Sequence, residues 1–280
     1  MGYNFLSKYQ FGVIQKMLNN SRRFEDEYSL PIVGVKSGYN KGYTVEFNSK
    51  HTRQVVFGKD IKRYAPIKSA TKFIYPYNNG TLIDESDFEQ VELAHLIEHE
   101  QKLRKRAIIQ DGIIRNTKKW YEFQQINLSV GNDSEYIVYP NVTLGPQFSL
   151  SKGQVIDITG FVIKSSSRFL LGLLNSSLIG FLLDITAIKR RGGYSEYKVQ
   201  YVSEIPIKRN VAFEMQIQEL VDKIIGIKSQ NPEADTTHLE AQIDLLVYKL
   251  YGLTHAEVLV VDPEFSMTES EYNTYQHEQA

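Results

Sequence analysis

No cysteine occurs in the sequence, which removes disulfides, thiolate zinc sites and cysteine nucleophiles. The same absence fits a reducing cytoplasm. No basic flank followed by an apolar run stands at the N-terminus, so no secretory signal is read there. The longest apolar stretch, Phe169 to Ile188, is interrupted by Asn175, Ser176, Ser177 and Asp184. It is too polar for a comfortable membrane span and reads as a buried helix. All eight prolines are isolated, so no Asn-Pro-Pro-Tyr-type motif exists to hold a flipped base by its exocyclic nitrogen. A Phe-x-Gly-x-Gly loop for S-adenosylmethionine and a Gly-x-x-x-x-Gly-Lys-Ser/Thr phosphate cradle are missing as well.

Tryptophan is scarce, with Trp120 alone, but 18 tyrosines and 14 phenylalanines are present. Tyrosine at that level suits a surface that meets polar partners, alongside its use in cores and strands. Trp120 reads as core rather than as a stacking platform. A net charge of −1 argues at first against a polyanionic partner. The distribution argues the other way: residues 233–280 hold ten acids and one base, a net of −9, and residues 1–232 hold 31 bases and 23 acids, a net of +8. Local charge decides binding to a phosphate backbone.

Periodicity gives a mixed pattern. Helical spacing covers residues 6–18 through Leu6, Phe11, Ile14, Met17 and Leu18. Short β-rich runs follow at Leu30–Val35, Tyr43–Phe47, Gln54–Phe57 and Lys72–Tyr75, separated by glycine and asparagine. A helix is expected over 86–110, strands over 118–163 with turns at Gly131–Asn132–Asp133 and Gly145–Pro146, and an apolar helix over 166–187. Val199–Ile207 reads as a strand. Residues 211–228 and 236–251 read as amphipathic helices separated by Asn231–Pro232, the second capped by Asp235 or Thr236 and ended by Gly252. The tail beyond Pro263 is acidic and polar, and is expected to be disordered. Strands clustered in two blocks favour α+β over a doubly wound sheet.

Three motifs imitate catalytic chemistry. His95-Leu96-Ile97-Glu98-His99 has the inverted zinc-protease spacing, with His95 and His99 one helical turn apart and Glu98 placed to polarise water. It lacks an evident third ligand and sits in a charge-dense run. Glu46 with Asp60-Ile61-Lys62, and Asp184 with Glu196-Tyr197-Lys198, follow the acid…acid-x-Lys pattern that can hold magnesium for phosphodiester cleavage. Both are short patterns that also describe ordinary charged strand ends.

Basic residues interleaved with aromatics form three runs. One contains Lys50, Arg53, Lys59, Lys62, Arg63, Tyr64, Lys68, Lys72 and Tyr75. A second contains Arg115, Lys118, Lys119, Trp120 and Tyr121. The third is Lys189, Arg190, Arg191, Gly192, Gly193, Tyr194, Tyr197 and Lys198. Each by itself also reads as a solvated loop. Three in one chain favour phosphate contacts, with base edges read from loops.

In order along the chain, these segments resemble the TaqI-like specificity domain, which forms the C-terminal part of many adenine-specific DNA methyltransferases and type IIG restriction enzymes. The resemblance is carried by Gly34-Val35-Lys36-Ser37-Gly38-Tyr39-Asn40-Lys41, Phe57-Gly58-Lys59-Asp60-Ile61-Lys62-Arg63-Tyr64 and Phe73-Ile74-Tyr75-Pro76-Tyr77. It continues through Lys119-Trp120-Tyr121-Glu122, Ile137-Val138-Tyr139-Pro140, Leu170-Leu171-Gly172-Leu173-Leu174-Asn175-Ser176, Arg191-Gly192-Gly193-Tyr194 and Ile205-Pro206-Ile207. The run Ile243 to Leu253 closes it, so it covers residues 30–255. It implies a domain that binds double-stranded DNA, works in the cytoplasm without a membrane, and has no catalytic or metal centre of its own. S-adenosylmethionine would bind a partner subunit or an N-terminal methyltransferase domain. Here only the first residues, 1–29, precede the match, so the chain is expected to be either an excised portion or a separately encoded specificity subunit.

The expectation is thus an α+β fold with a mixed β-sheet recognition domain, packed helices and a C-terminal helical pair. Its parts are a helical lead-in at 1–29, the recognition domain at 30–208, the helical pair at 209–254 and a flexible acidic tail at 255–280. The expected DNA contacts are Lys36, Tyr39, Asn40, Lys41, Arg53, Lys59, Lys62, Arg63, Tyr64, Lys118, Arg190, Arg191, Tyr194 and Lys198. Two alternatives stand beside this reading. One is a metal-dependent nuclease or hydrolase using Asp60/Lys62, Glu196/Lys198 or His95/His99. The other is a protein-interaction or assembly subunit of a restriction system.

Overall fold

The β-rich and helical stretches of the sequence resolve into two apolar cores in the computed structural model, which describes residues 7–126 and 134–275. The helices are α1 (Lys8–Leu18), α2 (Phe24–Glu27), α3 (Gln90–Arg104), α4 (Ala107–Ile114), α5 (Arg168–Asn175), α6 (Ser177–Thr186) and α7 (Val199–Val202). They continue as α8 (Val211–Gln230), α9 (Thr237–Tyr251), α10 (His255–Val261) and α11 (Glu269–Thr274). The strands are β1 (Ile32–Val33), β2 (Thr44–Val45), β3 (Thr52–Val56), β4 (Lys72–Ile74), β5 (Tyr77–Asn78), β6 (Thr81–Leu82) and β7 (Glu135–Pro140). The remainder are β8 (Val142–Thr143), β9 (Ser149–Lys152), β10 (Val155–Ile156), β11 (Gly160–Ile163), β12 (Ile188–Lys189) and β13 (Ser195–Glu196). The fold is α+β.

One sheet runs β1-β11-β7-β9 and is antiparallel throughout. Helices α5, α6, α8 and α9 pack with it, and α1 and α10 join the same core through Val13, Ile14, Met17 and Val258. The second sheet runs β10-β3-β4-β2 and is antiparallel except for β10 against β3. Leu96 and Leu103 of α3 cover it, and Tyr43 meets Phe123 edge-on at 4.8 Å. Val56, Ile61, Val138, Ile156 and Val162 form a small apolar bridge between the two sheets.

Several elements depart from the sequence expectation, each for a local reason. The helix expected over 86–110 stops at Arg104 and restarts at Ala107, because Arg106 turns inward to bond three backbone carbonyls. The apolar helix over 166–187 is two helices bent by 59°. Asn175, the last residue of α5, bonds both Phe148 N and O through its side-chain amide, and Ser176 is the non-helical joint that accepts from Ile179 N to cap α6. Between 118 and 126 no named strand forms; Gln125 pairs only with Lys36. Val199–Ile207 is a helical turn and a loop, since Val202, Ile205 and Ile207 all point into a helical core that offers no strand edge beyond one bridge from Ile207 to Arg22. Packing here overrides β-propensity.

The tail is the largest correction. Residues 255–275 form α10 and α11 instead of a flexible segment, and Tyr272 is buried with its hydroxyl donating to Leu253 O at 2.9 Å. The Gly131–Asn132–Asp133 turn lies outside the described residues. Of the two proposed caps for α9, Asp235 accepts from Thr237 N at 2.9 Å, while the Thr236 hydroxyl turns to Glu240; Gly252 ends the helix at φ +72. No single helix among the described residues is long and apolar enough to cross a membrane.

Candidate nucleic-acid interface

The turn from Asp157 to Gly160 ties together three segments that lie far apart in sequence. Val35 N donates to Ile156 O at 2.7 Å and Ile158 N donates to Val35 O at 2.8 Å, which anchors the segment leading into Lys36–Lys41. Gly58 N donates to Thr159 Oγ1 at 2.9 Å, which anchors the turn bearing Lys59 and Lys62. Asn141 N donates to Thr159 O at 2.9 Å, and Tyr197 N donates to Asn141 O at 2.8 Å, which anchors the Arg190–Lys198 segment. The turn itself is held by buried Asp157, whose Oδ1 accepts from Thr159 N and Oγ1.

Two glycines make this convergence possible. A Cβ on Gly34 would lie less than 3.0 Å from the Ile156 and Asp157 carbonyl oxygens, and one on Gly58 would crowd the Thr159 carbonyl in the same way. Only a residue without a side chain lets backbone approach backbone so closely.

The Lys36–Lys41 loop is also fixed from the other side. Gln125 and Lys36 exchange backbone hydrogen bonds at 2.8 and 2.9 Å. Arg106 is buried; it donates to Ser37 O, to Trp120 O at 2.7 Å and to Leu103 O at 2.8 Å, and stacks on Tyr43 at 5.5 Å. Tyr39 rests edge-on against His99 at 5.8 Å, with the Lys102 ammonium 5.5 Å from its ring. Asn40 Oδ1 accepts from the Ser37 hydroxyl.

The Arg190–Lys198 segment contributes β13, the central strand of a three-stranded antiparallel sheet, β12-β13-β8. Glu196 is buried at its centre and accepts from Arg190 Nε at 2.9 Å and pairs with Lys198 at 2.8 Å. Hydrogen bonds from Lys198 and Arg190 hold its carboxyl below the usual carboxylate range.

The expected contacts fall into three groups. Lys36, Lys41, Lys62 and Arg191 are exposed and free of side-chain partners among the described residues, and Lys59 reaches only the Phe57 ring at 5.9 Å. Arg190, Lys198, Arg63 and Lys118 are engaged within the chain: Arg63 pairs with Glu240 at 2.5 Å and Lys118 with Glu122 at 3.0 Å. Arg53 donates to Lys50 O and Thr52 O. Tyr194 is exposed. Tyr64 is the correction, because its ring is buried in the helical core and its backbone is turned to φ +58 by the bond from its N to Phe148 O.

The catalytic lookalikes have other occupations. His95 and His99 stack edge-on at 5.0 Å, and among the described residues no group of three His, Asp or Glu converges to hold an ion. Burial and the neighbouring His99 lower the pKa of His95, against opposing contributions from Glu98 and Lys41. Asp60 accepts from Phe57 N at 2.9 Å and closes its own turn. Asp184 pairs with Lys189, as Glu196 does with Arg190 and Lys198. Sequence reasoning missed Arg106, which sits in a charge-dense run with nothing to set it apart. It also missed the Asp157–Thr159 hub, although Gly34 and Gly58 were visible signals of a close approach.

A profile of the TaqI-like C-terminal specificity domain matches residues 53–207, more than half of the chain. Among solved structures, the type IIL restriction-modification enzyme MmeI in complex with DNA is 14% identical, with a TM-score of 0.65 over 91% of this chain and 37% of that one. The type IIG restriction endonuclease BpuSI is 11% identical, with a TM-score of 0.47 over 89% of this chain and 34% of that one. The chain thus spans little more than a third of the length of either structure. No match is found among curated proteins.

Proposed function

The chain belongs to the TaqI-like C-terminal specificity domain family, and on that premise we propose that it is the double-stranded DNA recognition domain of a restriction-modification system. It directs an adenine-N6 methyltransferase, and an endonuclease where one is attached as in type IIG enzymes, to its target sequence. S-adenosylmethionine and the chemistry belong to the methyltransferase part, and the complex works in the cytoplasm beside the DNA it reads. The observation that carries this reading is the convergence of the Lys36–Lys41, Gly58–Lys62 and Arg190–Lys198 segments on the one Asp157–Gly160 turn. Lys36, Lys41, Lys59, Lys62 and Arg191 hold phosphates, which fixes position without reading sequence. Side chains of the Lys36–Lys41 loop and the β12-β13-β8 sheet face the base edges.

Mobility shifts with random-sequence duplexes at low salt, followed by rounds of selection, test the proposal. The expected result is binding at low salt that enriches one sequence. No binding at low salt, where the phosphate contribution is strongest, rejects it. Magnesium-dependent cleavage by the purified chain would favour the nuclease alternative.

A further inference from the structure

The β12-β13-β8 sheet has two unlike faces. Ile188, Glu196 and Val142 stand opposite one another in register, and Lys189, Ser195 and Thr143 form the next row. Side chains alternate between faces along a strand. Leu144 and Tyr194 therefore fall on the face of Val142, Glu196 and Ile188, and Tyr197 falls on the face of Ser195 and Thr143. Exposure agrees for the uncharged residues: Ser195, Thr143 and Tyr197 are 5%, 4% and 2% exposed, whereas Val142, Ile188, Tyr194 and Leu144 are 44%, 44%, 41% and 66% exposed. The two charged residues of the rows depart from it through ion pairs: Glu196 on the outer face is buried where it pairs with Arg190 and Lys198, and Lys189 on the inner face is exposed and pairs with Asp184. The outer face sets four large apolar side chains in the open.

Charge surrounds them. Arg190 and Lys198 are joined to Glu196 within this face, and Arg191 carries no acidic partner among the described residues. Gly192 and Gly193 follow and place no side chain beside Leu144, whose Cδ2 would lie 3.8 Å from a Cβ at Gly193. An apolar centre with a cationic rim is complementary to a duplex groove, where phosphates line the edge. The major groove admits a β-ribbon, and the apolar group its base edges offer is the thymine C5-methyl.

We propose that Leu144, supported by Val142, reads a thymine methyl group in the major groove of the target. This rests on the reading of the chain as a duplex-binding domain. The selected target is synthesised with each thymine replaced singly by deoxyuridine, which removes one methyl and nothing else. Binding is measured for the native chain, Leu144→Ala and Arg191→Ala. For the native chain, one replacement is expected to weaken binding about fourfold, the worth of one buried methyl. Leu144→Ala abolishes that penalty at that position alone. Arg191→Ala weakens every duplex alike and keeps the penalty. The exposure of Leu144 lets its alanine variant keep the native unfolding midpoint, which is measured alongside.

If no thymine loses affinity on demethylation, or if the penalty persists in Leu144→Ala, the methyl-reading role is overturned while DNA recognition stands. If no duplex is bound at low salt, the recognition reading falls and takes this one with it.

Discussion

Gly34, Gly58 and Arg106 touch backbone rather than ligand, yet they set where the candidate contacts stand. At Gly34 the obstacle to a side chain is two carbonyl oxygens, which cannot swing aside as a flexible side chain would. Gly34→Ala is expected to destabilise the fold by about 1–3 kcal/mol in urea denaturation. Gly226 offers the contrast, since it lies exposed within α8 with nothing within 4 Å of its Cβ position. Gly226→Ala is expected to stabilise by about 0.5–1 kcal/mol through lost freedom of the unfolded chain. If the two alanines behave alike, close approach is not what Gly34 provides. Arg106 spreads a planar guanidinium across the carbonyls of Leu103, Ser37 and Trp120. A lysine keeps the charge but loses the fork. Arg106→Lys should cost about 2 kcal/mol, as expected for charged hydrogen bonds lost in the interior. It should also weaken DNA binding by releasing the Ser37–Lys41 loop, a loss read by titration at a fixed salt concentration.

At the scale of the element, helix starts carry much of the order. Glu92, in the first turn of α3, is buried and accepts from His51 N at 2.8 Å, from His51 Nδ1 at 2.8 Å and from Glu89 N at 2.9 Å. Burial raises its pKa, but the hydrogen bonds from His51 and Glu89 help to outweigh burial and leave it below the ordinary 4.5. An acid with a depressed native pKa stabilises the fold fully above its unfolded value, and that stability is lost as pH falls through the native value. Glu92→Gln should therefore be less stable than the native chain at neutral pH, and the gap should close below pH 4.5. A gap that stays constant through that window would remove the carboxylate from the account. The acids of the C-terminal stretch work the same way at shorter range. Glu257 and Glu271 close capping boxes with Thr254 and Thr268, so part of the acidity that suggested disorder is helix-capping chemistry. That Thr-x-x-Glu spacing was legible; the composition around it concealed it.

For the molecule as a whole, the split between a basic body and an acidic C-terminal stretch has a structural use. Glu240 neutralises Arg63 and Glu257 neutralises Lys16, so acids of the C-terminal helices are spent on the body they pack against. Among the described residues, what is left unpaired includes Lys36, Lys41, Lys62 and Arg191, all four of which lie on the segments that meet at the shared turn. If these four meet phosphates, replacing all four by alanine should flatten the slope of log affinity against log salt by about 3–4, near 0.9 per contact. A slope unchanged in the quadruple variant would place the phosphate contacts elsewhere on the molecule.

Sequence by itself determined the α+β class, the positions of α1, α8 and α9, the basic segments and the family. These depend on periodicity, caps and ordered motifs, which are properties of neighbouring residues. It could not separate an arginine that faces water from one that faces three carbonyls, as Arg191 and Arg106 show, nor foresee that Tyr64 is core. The folding of residues 255–275 onto the body, the bend at Ser176 and the meeting of three basic segments at Asp157–Gly160 were decided only in the tertiary structure. Each depends on contacts between residues distant in sequence, where burial and hydrogen bonding outweigh local preference.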